Sequence, residues 1–141
     1  MTGSLSERPE VVELHIPAEA SFVSILRITA AALAARLDYA IDQIEDLRVM
    51  VDEAASLLLT RAAIPSTIHC KYILDEGDIT LLLSAVPQNR EAVAKDGFSW
   101  LVLDALADKA DARLTDDGIE IEVHQKRRAL DAGDTQLAER G

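Results

Sequence analysis

The sequence has little cysteine, no long apolar run and no signal-like start, and each shortage excludes a class of protein. Its one cysteine, Cys70, excludes an intrachain disulfide and a zinc site made of four thiolates. No apolar stretch approaches the roughly 20 residues that cross a bilayer. The N-terminus also lacks the basic-then-apolar order of a secretory signal. We therefore expect a cytoplasmic protein without a membrane segment.

Basic residues are also scarce, because 14 lysines and arginines stand against 25 acidic residues and leave a formal net charge of −11. Non-specific nucleic-acid binding needs cations that face phosphates, so we expect no direct binding to nucleic acid. The charge suits a partner protein that is itself basic. The apolar fraction of 49% excludes a disordered acidic tail protein.

The chain length of 141 residues fits one domain, expected at residues 11–124. Polar, glycine-containing flanks predict a flexible N-terminus at 1–10 and a flexible C-terminal tail at 125–141. Between them, the hydrophobic spacing predicts the order β-α-α-β-β-α-β-β. This order gives an α+β fold, a two-layer α/β sandwich whose mixed, mainly antiparallel sheet is covered by helices on one face.

The first two helices are predicted from apolar residues that recur at spacings of three and four. Pro65 ends the second helix, and acidic residues occupy its first turns, where the helix dipole favours anions. The apolar positions of the first helix are Phe22, Ile25, Leu26, Thr29, Leu33 and Leu37, and those of the second are Ile44, Leu47, Val51, Ala55 and Leu58.

Two phrases carry a family resemblance: DLRVMVDEAA at residues 46–55 and GFSWLVLDALAD at residues 97–108. With the element order, they resemble anti-sigma factors of the RsbW type, which are serine-protein kinases with the Bergerat, or histidine-kinase-like, ATPase fold. The resemblance covers roughly residues 11–124. It implies a protein that holds a sigma factor away from RNA polymerase and is released by an anti-anti-sigma protein of the STAS type. Many members also phosphorylate that antagonist on serine with Mg·ATP.

The resemblance assigns the family's general-base position, on the second helix, to Glu53. Four residues later, the family's asparagine that helps to hold Mg²⁺ is replaced by Leu57, and leucine cannot coordinate a hard cation. Without the family, Glu53 is most simply a solvated helix carboxylate. With the family, it faces the former ATP pocket.

The family's glycine motifs are incomplete in this chain. The Asp-x-Gly-x-Gly expected near Val86 is absent from SAVPQN at residues 84–89. Of the Gly-x-Gly-Leu that opens the third helix, Gly97 remains, while Ser99 replaces the second glycine and Trp100 the leucine. We interpret Gly97 and Ser99 as a degenerate cofactor-binding motif. No cofactor is expected, or Mg·ATP if the protein is an active kinase.

The resemblance also implies a partner-binding face on the first helix, which carries Arg27, although an ordinary exposed arginine is the plainer interpretation. We expect Asp42, Glu45 and Asp46, at the start of the second helix, to supply the salt-dependent part of the affinity. The histidines lack metal-ligand spacing, so no metal site is predicted.

Three functions stay open at this stage. The leading hypothesis is an anti-sigma factor that regulates transcription in a stress response, with a sigma factor and a STAS protein as partners. The alternative is an active serine-protein kinase that phosphorylates its antagonist. A scaffold domain without a sigma factor is the third, and a homodimer is possible with each.

Overall fold

The computed structural model describes residues 8–128. Residues 1–7 and 129–141, which belong to the two segments predicted to be flexible, lie outside this range. The strands are β1 (Glu10–Pro17), β2 (Thr67–Asp75), β3 (Asp78–Ala85), β4 (Lys109–Leu114) and β5 (Ile119–Gln125). The helices are α1 (Val23–Arg36), α2 (Ile41–Arg61) and α3 (Phe98–Leu106), and a 3₁₀ turn at Ala20–Phe22 leads into α1. The element order is the one the sequence predicts.

The five strands form one sheet in the order β1-β2-β3-β5-β4. Every pairing between these described strands is antiparallel, so the sheet is antiparallel throughout rather than mixed. Glu76 and Gly77, both with positive φ, form the two-residue turn between β2 and β3, which matches the right-handed twist of the strands. The predicted two-layer α/β sandwich is confirmed.

The core lies between one face of the sheet and the three helices. Alternate residues of β2, β3 and β5 are buried there, as period-two strands require. The hydroxyl of Tyr72, in β2, donates a hydrogen bond of 2.9 Å to the carbonyl of Leu26 and so ties α1 to the sheet. Burial raises the pKa of the Cys70 thiol, also in β2, to about 12.

The predicted apolar stripe of α2 is largely correct, since four of its five residues are buried and Ile44 is partly buried. The stripe of α1 needs correction. Of its six predicted positions only Leu26 is fully buried, and Ile25 is exposed. The buried face consists of Val23, Leu26, Ala30 and Ala34. The small alanine side chains let α1 approach its neighbours closely, and this turns Ile25 and Ile28 outward.

The domain limits at residues 11 and 124 stay a prediction. Strand β5 runs to Gln125, and the next three residues are held by hydrogen bonds to α2 and its surroundings. The side chain of Gln43, fully buried near the start of α2, accepts from the Arg128 amide and donates to the Lys126 carbonyl. We call this arrangement the Gln43 clamp. No helix among residues 8–128 is both long and apolar enough to cross a membrane.

Candidate functional site

Helices α2 and α3 pack together, and a hydrogen bond joins two of the predicted site residues across them. The Ser99 hydroxyl, in the first turn of α3, donates to the Glu53 carboxylate at 2.7 Å. Both residues are only partly buried, so Glu53 is neither an isolated solvated carboxylate nor a core residue. The serine that stands at the family's second motif glycine therefore occupies one oxygen of the proposed base.

Gly97 precedes α3 as its N-cap, in an extended conformation (φ −86°, ψ 173°) that any residue adopts. A Cβ added at Gly97 meets nothing within 4 Å. Neither backbone conformation nor space requires glycine there.

Leu57 lies one turn after Glu53 and is partly buried against the core cluster. Its hydrocarbon side chain offers no oxygen ligand to a divalent cation. Within residues 8–128, no three His, Cys, Asp or Glu side chains are grouped closely enough to hold a metal ion.

The segment between β3 and α3, residues 86–97, is fastened to the rest of the protein by its own side chains, Lys95 among them, and by Arg61 from outside it. Arg61, at the end of α2, donates to the carbonyls of Glu91 and Ala92. Lys95 pairs with Asp111 of β4 at 2.9 Å and lies 5.2 Å from the centre of the Trp100 ring. This hydrogen bond from Lys95 lowers the pKa of the Asp111 carboxyl. Further bonds fix the segment at Gln88, which donates to Ala62, and at Arg90, which donates to Thr115.

Arg27 projects from α1 toward α2, where it forms an ion pair of 2.5 Å with Asp52. The arginine side chain is 30% exposed, so it is not the freely solvated residue of the plainer interpretation. The pair lines a shallow groove of about 420 Å³ between the two helices. The other residues of this groove are Ala20, Val23, Ser56, Leu59 and Thr60.

The three acidic residues predicted to bind a partner lie at the start of α2, away from Glu53. Asp42 and Glu53 are separated by about 16 Å along the helix, given a rise of 1.5 Å per residue. Asp42 accepts a hydrogen bond from the Gln43 amide, and Glu45 is 3.9 Å from Arg48. The structure therefore brings Glu53, Ser99 and Gly97 together, places Arg27 on another flank of α2, and leaves the acidic group apart.

Three features of the structure have no counterpart among the sequence predictions. The Gln43 clamp was not predicted, because a glutamine that follows an acidic residue at the start of a helix gives no sequence signal of such a contact. A second cavity, of about 460 Å³, lies on the face of the sheet opposite the helices and is lined by His69, Lys71, Ser84 and Glu120, among others. Two large apolar side chains of α3, Phe98 and Leu101, are 74% and 60% exposed. They lie on the face of α3 opposite the buried Trp100 and Leu103.

Comparison with known proteins supports the resemblance to the RsbW type that the sequence motifs at residues 46–55 and 97–108 indicate. The chain is 34% identical over 92 residues to the serine-protein kinase RsbW of Bacillus cereus (strain B4264), a match that covers 65% of this chain and 52% of that protein. It is 33% identical over 97 residues to the RsbW of Bacillus anthracis (strain CDC 684 / NRRL 3495), with 68% and 55% covered. No protein-family model matches the chain. The resemblance to proteins of the RsbW type is confirmed, and the chain spans about half the length of the curated relatives it matches.

Proposed function

We propose that this protein is a cytoplasmic anti-sigma factor, which binds a sigma factor and releases it when an anti-anti-sigma protein of the STAS type competes. The similarity to RsbW proteins supports this assignment. The net charge of −11 also supports it, because opposite potentials speed the encounter with a basic partner and favour it over others. The stress response is the process in which we expect it to act.

The same proposal includes weak or absent binding of Mg·ATP. The observation that carries it is the hydrogen bond from Ser99 to Glu53, next to Leu57. One carboxylate oxygen of Glu53 is engaged within the protein, and the neighbouring position offers hydrocarbon instead of an oxygen ligand. The residues at these motif positions do not fit a bound Mg·ATP, so we assign no catalytic step to it.

Calorimetric titration with Mg·ATP tests the nucleotide part. The wild-type protein should bind with a Kd at or above ~1 mM, which corresponds to about −4 kcal/mol. Leu57→Asn restores an oxygen at the metal position and should tighten binding, while Leu57→Met, which keeps a hydrocarbon-like side chain, is the matched control. Micromolar affinity in the wild type would contradict the proposal.

Binding to a sigma factor is tested separately, by surface plasmon resonance with purified sigma factors from the source organism. One of them should bind the wild-type protein, with an association rate that falls as ionic strength rises. An added STAS antagonist should release it. If none binds at low salt, the anti-sigma assignment fails, and a scaffold role without a sigma factor becomes the better hypothesis.

An active serine-protein kinase is the second candidate, favoured by the retained Glu53 and by the names of the relatives. One oxygen of Glu53 accepts no hydrogen bond from the described residues. Incubation of the STAS antagonist with labelled ATP would detect phosphate transfer. Transfer that disappears in Glu53→Gln, but persists in Glu10→Gln, a substitution of an exposed glutamate of β1, would favour the active kinase over a protein that does not use nucleotide.

A further inference from the structure

The face of the sheet opposite the helices holds the cavity of about 460 Å³ described above. It lies over three neighbouring strands, β2, β3 and β5. The register places His69, Ser84 and Glu120 in one row across these strands, and all three side chains line the cavity. Its volume falls in the range of roughly 300–1,000 Å³ that small-molecule sites occupy. The cavity therefore has room for a small molecule, on the other side of the sheet from Glu53 and Ser99.

The two sides of the cavity carry charges of opposite sign. Lys71, in β2, lies on one side. Glu120, in β5, and Asp117, in the turn before β5, lie on the other. Leu82 and Ser84 of β3 form the floor between them. A ligand in this cavity thus meets a cation at one end and two carboxylates at the other.

These charged groups keep capacity to bind a ligand. The ammonium of Lys71 lies 3.7 Å from the Glu13 carboxylate, a separation longer than a hydrogen bond. Glu120 accepts a bond of 3.0 Å from Arg113 at Oε1, and its Oε2 accepts none from residues 8–128. Asp117 forms no ion pair within the same range. Both ends of the cavity can therefore take up an opposite charge.

The turn between β4 and β5 closes one end of the cavity and is firmly held. The Gly118 amide donates to the Thr115 hydroxyl at 3.0 Å, and the Thr115 amide donates to the Gly118 carbonyl at 2.7 Å. Arg90 donates to the Thr115 carbonyl from the segment before α3. A Cβ added at Gly118 would collide with the carbonyl oxygen of Ala85, so the turn lies directly on the end of β3. This wall is formed before a ligand arrives, which lowers the entropic cost of binding.

We propose that this cavity binds a small zwitterion with separated charges, its carboxylate at Lys71 and its ammonium at Glu120 and Asp117. Charge complementarity selects this class, since an anion would face two carboxylates and a cation would face the Lys71 ammonium. Strands β2 and β5 are two strand spacings apart, roughly 10 Å. A contact of about 3 Å at each side leaves roughly 4 Å between the charged atoms of the ligand. Short ω-amino acids and dipeptides meet this requirement, and the inference does not depend on the proposed function.

Titration of the ¹⁵N-labelled protein, followed by amide chemical shifts, tests the proposal. The probe is γ-aminobutyrate, and the controls are butyrate, which lacks the ammonium, and butylamine, which lacks the carboxylate. The zwitterion should bind saturably and at least tenfold more tightly than either control. Glycylglycine is the second probe, and tighter binding of one probe than of the other supports the proposal and assigns the ligand to free amino acids or to peptides. Equal binding of a control, or no saturation by either zwitterion up to about 10 mM, would overturn the proposal.

Charge variants in matched pairs locate the ligand. Glu120→Gln should weaken γ-aminobutyrate at least tenfold. Glu122→Gln removes the same charge from the same strand and also a partner of Arg113, but lies outside the cavity, and should leave the affinity within twofold. Lys71→Gln and Lys109→Gln form the corresponding pair for the carboxylate end. Unchanged affinity in both cavity variants would overturn the proposal. Equal losses in the variants and their controls would do the same, because the effect would then be one of net charge.

Two further outcomes would assign the cavity or the ligand elsewhere. Amide shifts on binding should be centred on the row of His69, Ser84 and Glu120. Shifts centred on Glu53 and Ser99 instead would overturn the proposal, because the ligand would then lie among the helices. A wild-type dimer in sedimentation that Ser84→Arg disrupts would also overturn it, because a second copy of the chain would then cover the cavity.

Discussion

Helix α2 holds two polar side chains, Gln43 near its start and Glu53 near its middle, in contrasting ways. Gln43 is fully buried, and both its amide nitrogen and its oxygen bond to the backbone after β5. Glu53 is partly exposed and is bonded at one oxygen, to the side chain of Ser99. A buried polar group with all its partners on its own chain serves the fold, because leaving it unpaired is costly. A half-exposed carboxylate with spare capacity remains available to other molecules.

The largest expected effect concerns the reactivity of Cys70, which is buried in β2 and becomes accessible to a reagent when the protein unfolds. Burial raises its pKa from an ordinary value of 9.0 to about 12, so far less of the thiol is ionised at neutral pH than in a free cysteine. We expect very slow labelling by a thiol reagent in the native wild type. Gln43→Ala should accelerate the labelling and Glu53→Ala should not, and equal acceleration by both would remove the contrast between the two residues.

The same thiol gives the sign of a pH effect. The folded state binds the proton of the Cys70 thiol more tightly than the unfolded state does. The contribution of this thiol to the free energy of unfolding is therefore fully present below pH 9 and is lost as the pH rises toward 12. The raised pKa values of Tyr39 and Tyr72, both caused mainly by burial, act in the same direction. Denaturation midpoints of the wild type and of Cys70→Ala should be measured over the alkaline pH range. The difference between the two curves gives the part of the pH dependence of stability that comes from the thiol.

The next effect is on stability. Gln43→Ala removes both bonds of the clamp and leaves the Lys126 carbonyl and the Arg128 amide without this partner, which should cost about 2 kcal/mol in the free energy of unfolding. Gln88→Ala removes a single bond from an exposed glutamine and is the matched control, expected to cost under about 0.5 kcal/mol. Urea denaturation of both variants measures the difference. Equal midpoints would show that the clamp contributes nothing to the fold.

A tenfold effect on partner binding is expected from Arg27→Glu, which places a carboxylate beside Asp52 on the flank of α2 that faces α1. The double variant Arg27→Glu with Asp52→Arg restores an ion pair with reversed polarity. If the partner needs the positive charge of Arg27, this swap should not restore sigma-factor binding in surface plasmon resonance. Full recovery in the double variant would mean that Arg27 only positions the helices.

The smallest effect is expected from Ser99→Ala. It removes the partly exposed bond to Glu53 and should change the free energy of unfolding by under about 1 kcal/mol. Thermal denaturation measures it, with Ser24→Ala on α1 as a control for a serine that is likewise only partly buried. A loss as large as that of Gln43→Ala would place the Glu53–Ser99 bond among the determinants of the fold and weaken its interpretation as a site.

The sequence predicted the layers and the element order, because strand and helix periods differ clearly along this chain. It misjudged which side of α1 is buried, since isoleucines and leucines occur all round that helix and only the alanine contacts select the face. The assignment of Glu53, Leu57 and Ser99 to a site rests on a family pattern and stays a prediction, whereas the bond between Glu53 and Ser99 depends on how α2 and α3 pack. The Gln43 clamp joins residues more than 80 positions apart, and no local pattern announces it.

The position of β5 has a consequence for the order in which the chain assembles during synthesis. This strand is made last of the five, yet it lies between β3 and β4 in the sheet. Until it leaves the ribosome, β3 keeps one unpaired edge and β4 has no neighbour in the sheet. Sheet closure thus waits for residues 119–125. A nascent chain that stalls before residue 119 exposes an aggregation-prone edge that the finished protein never shows.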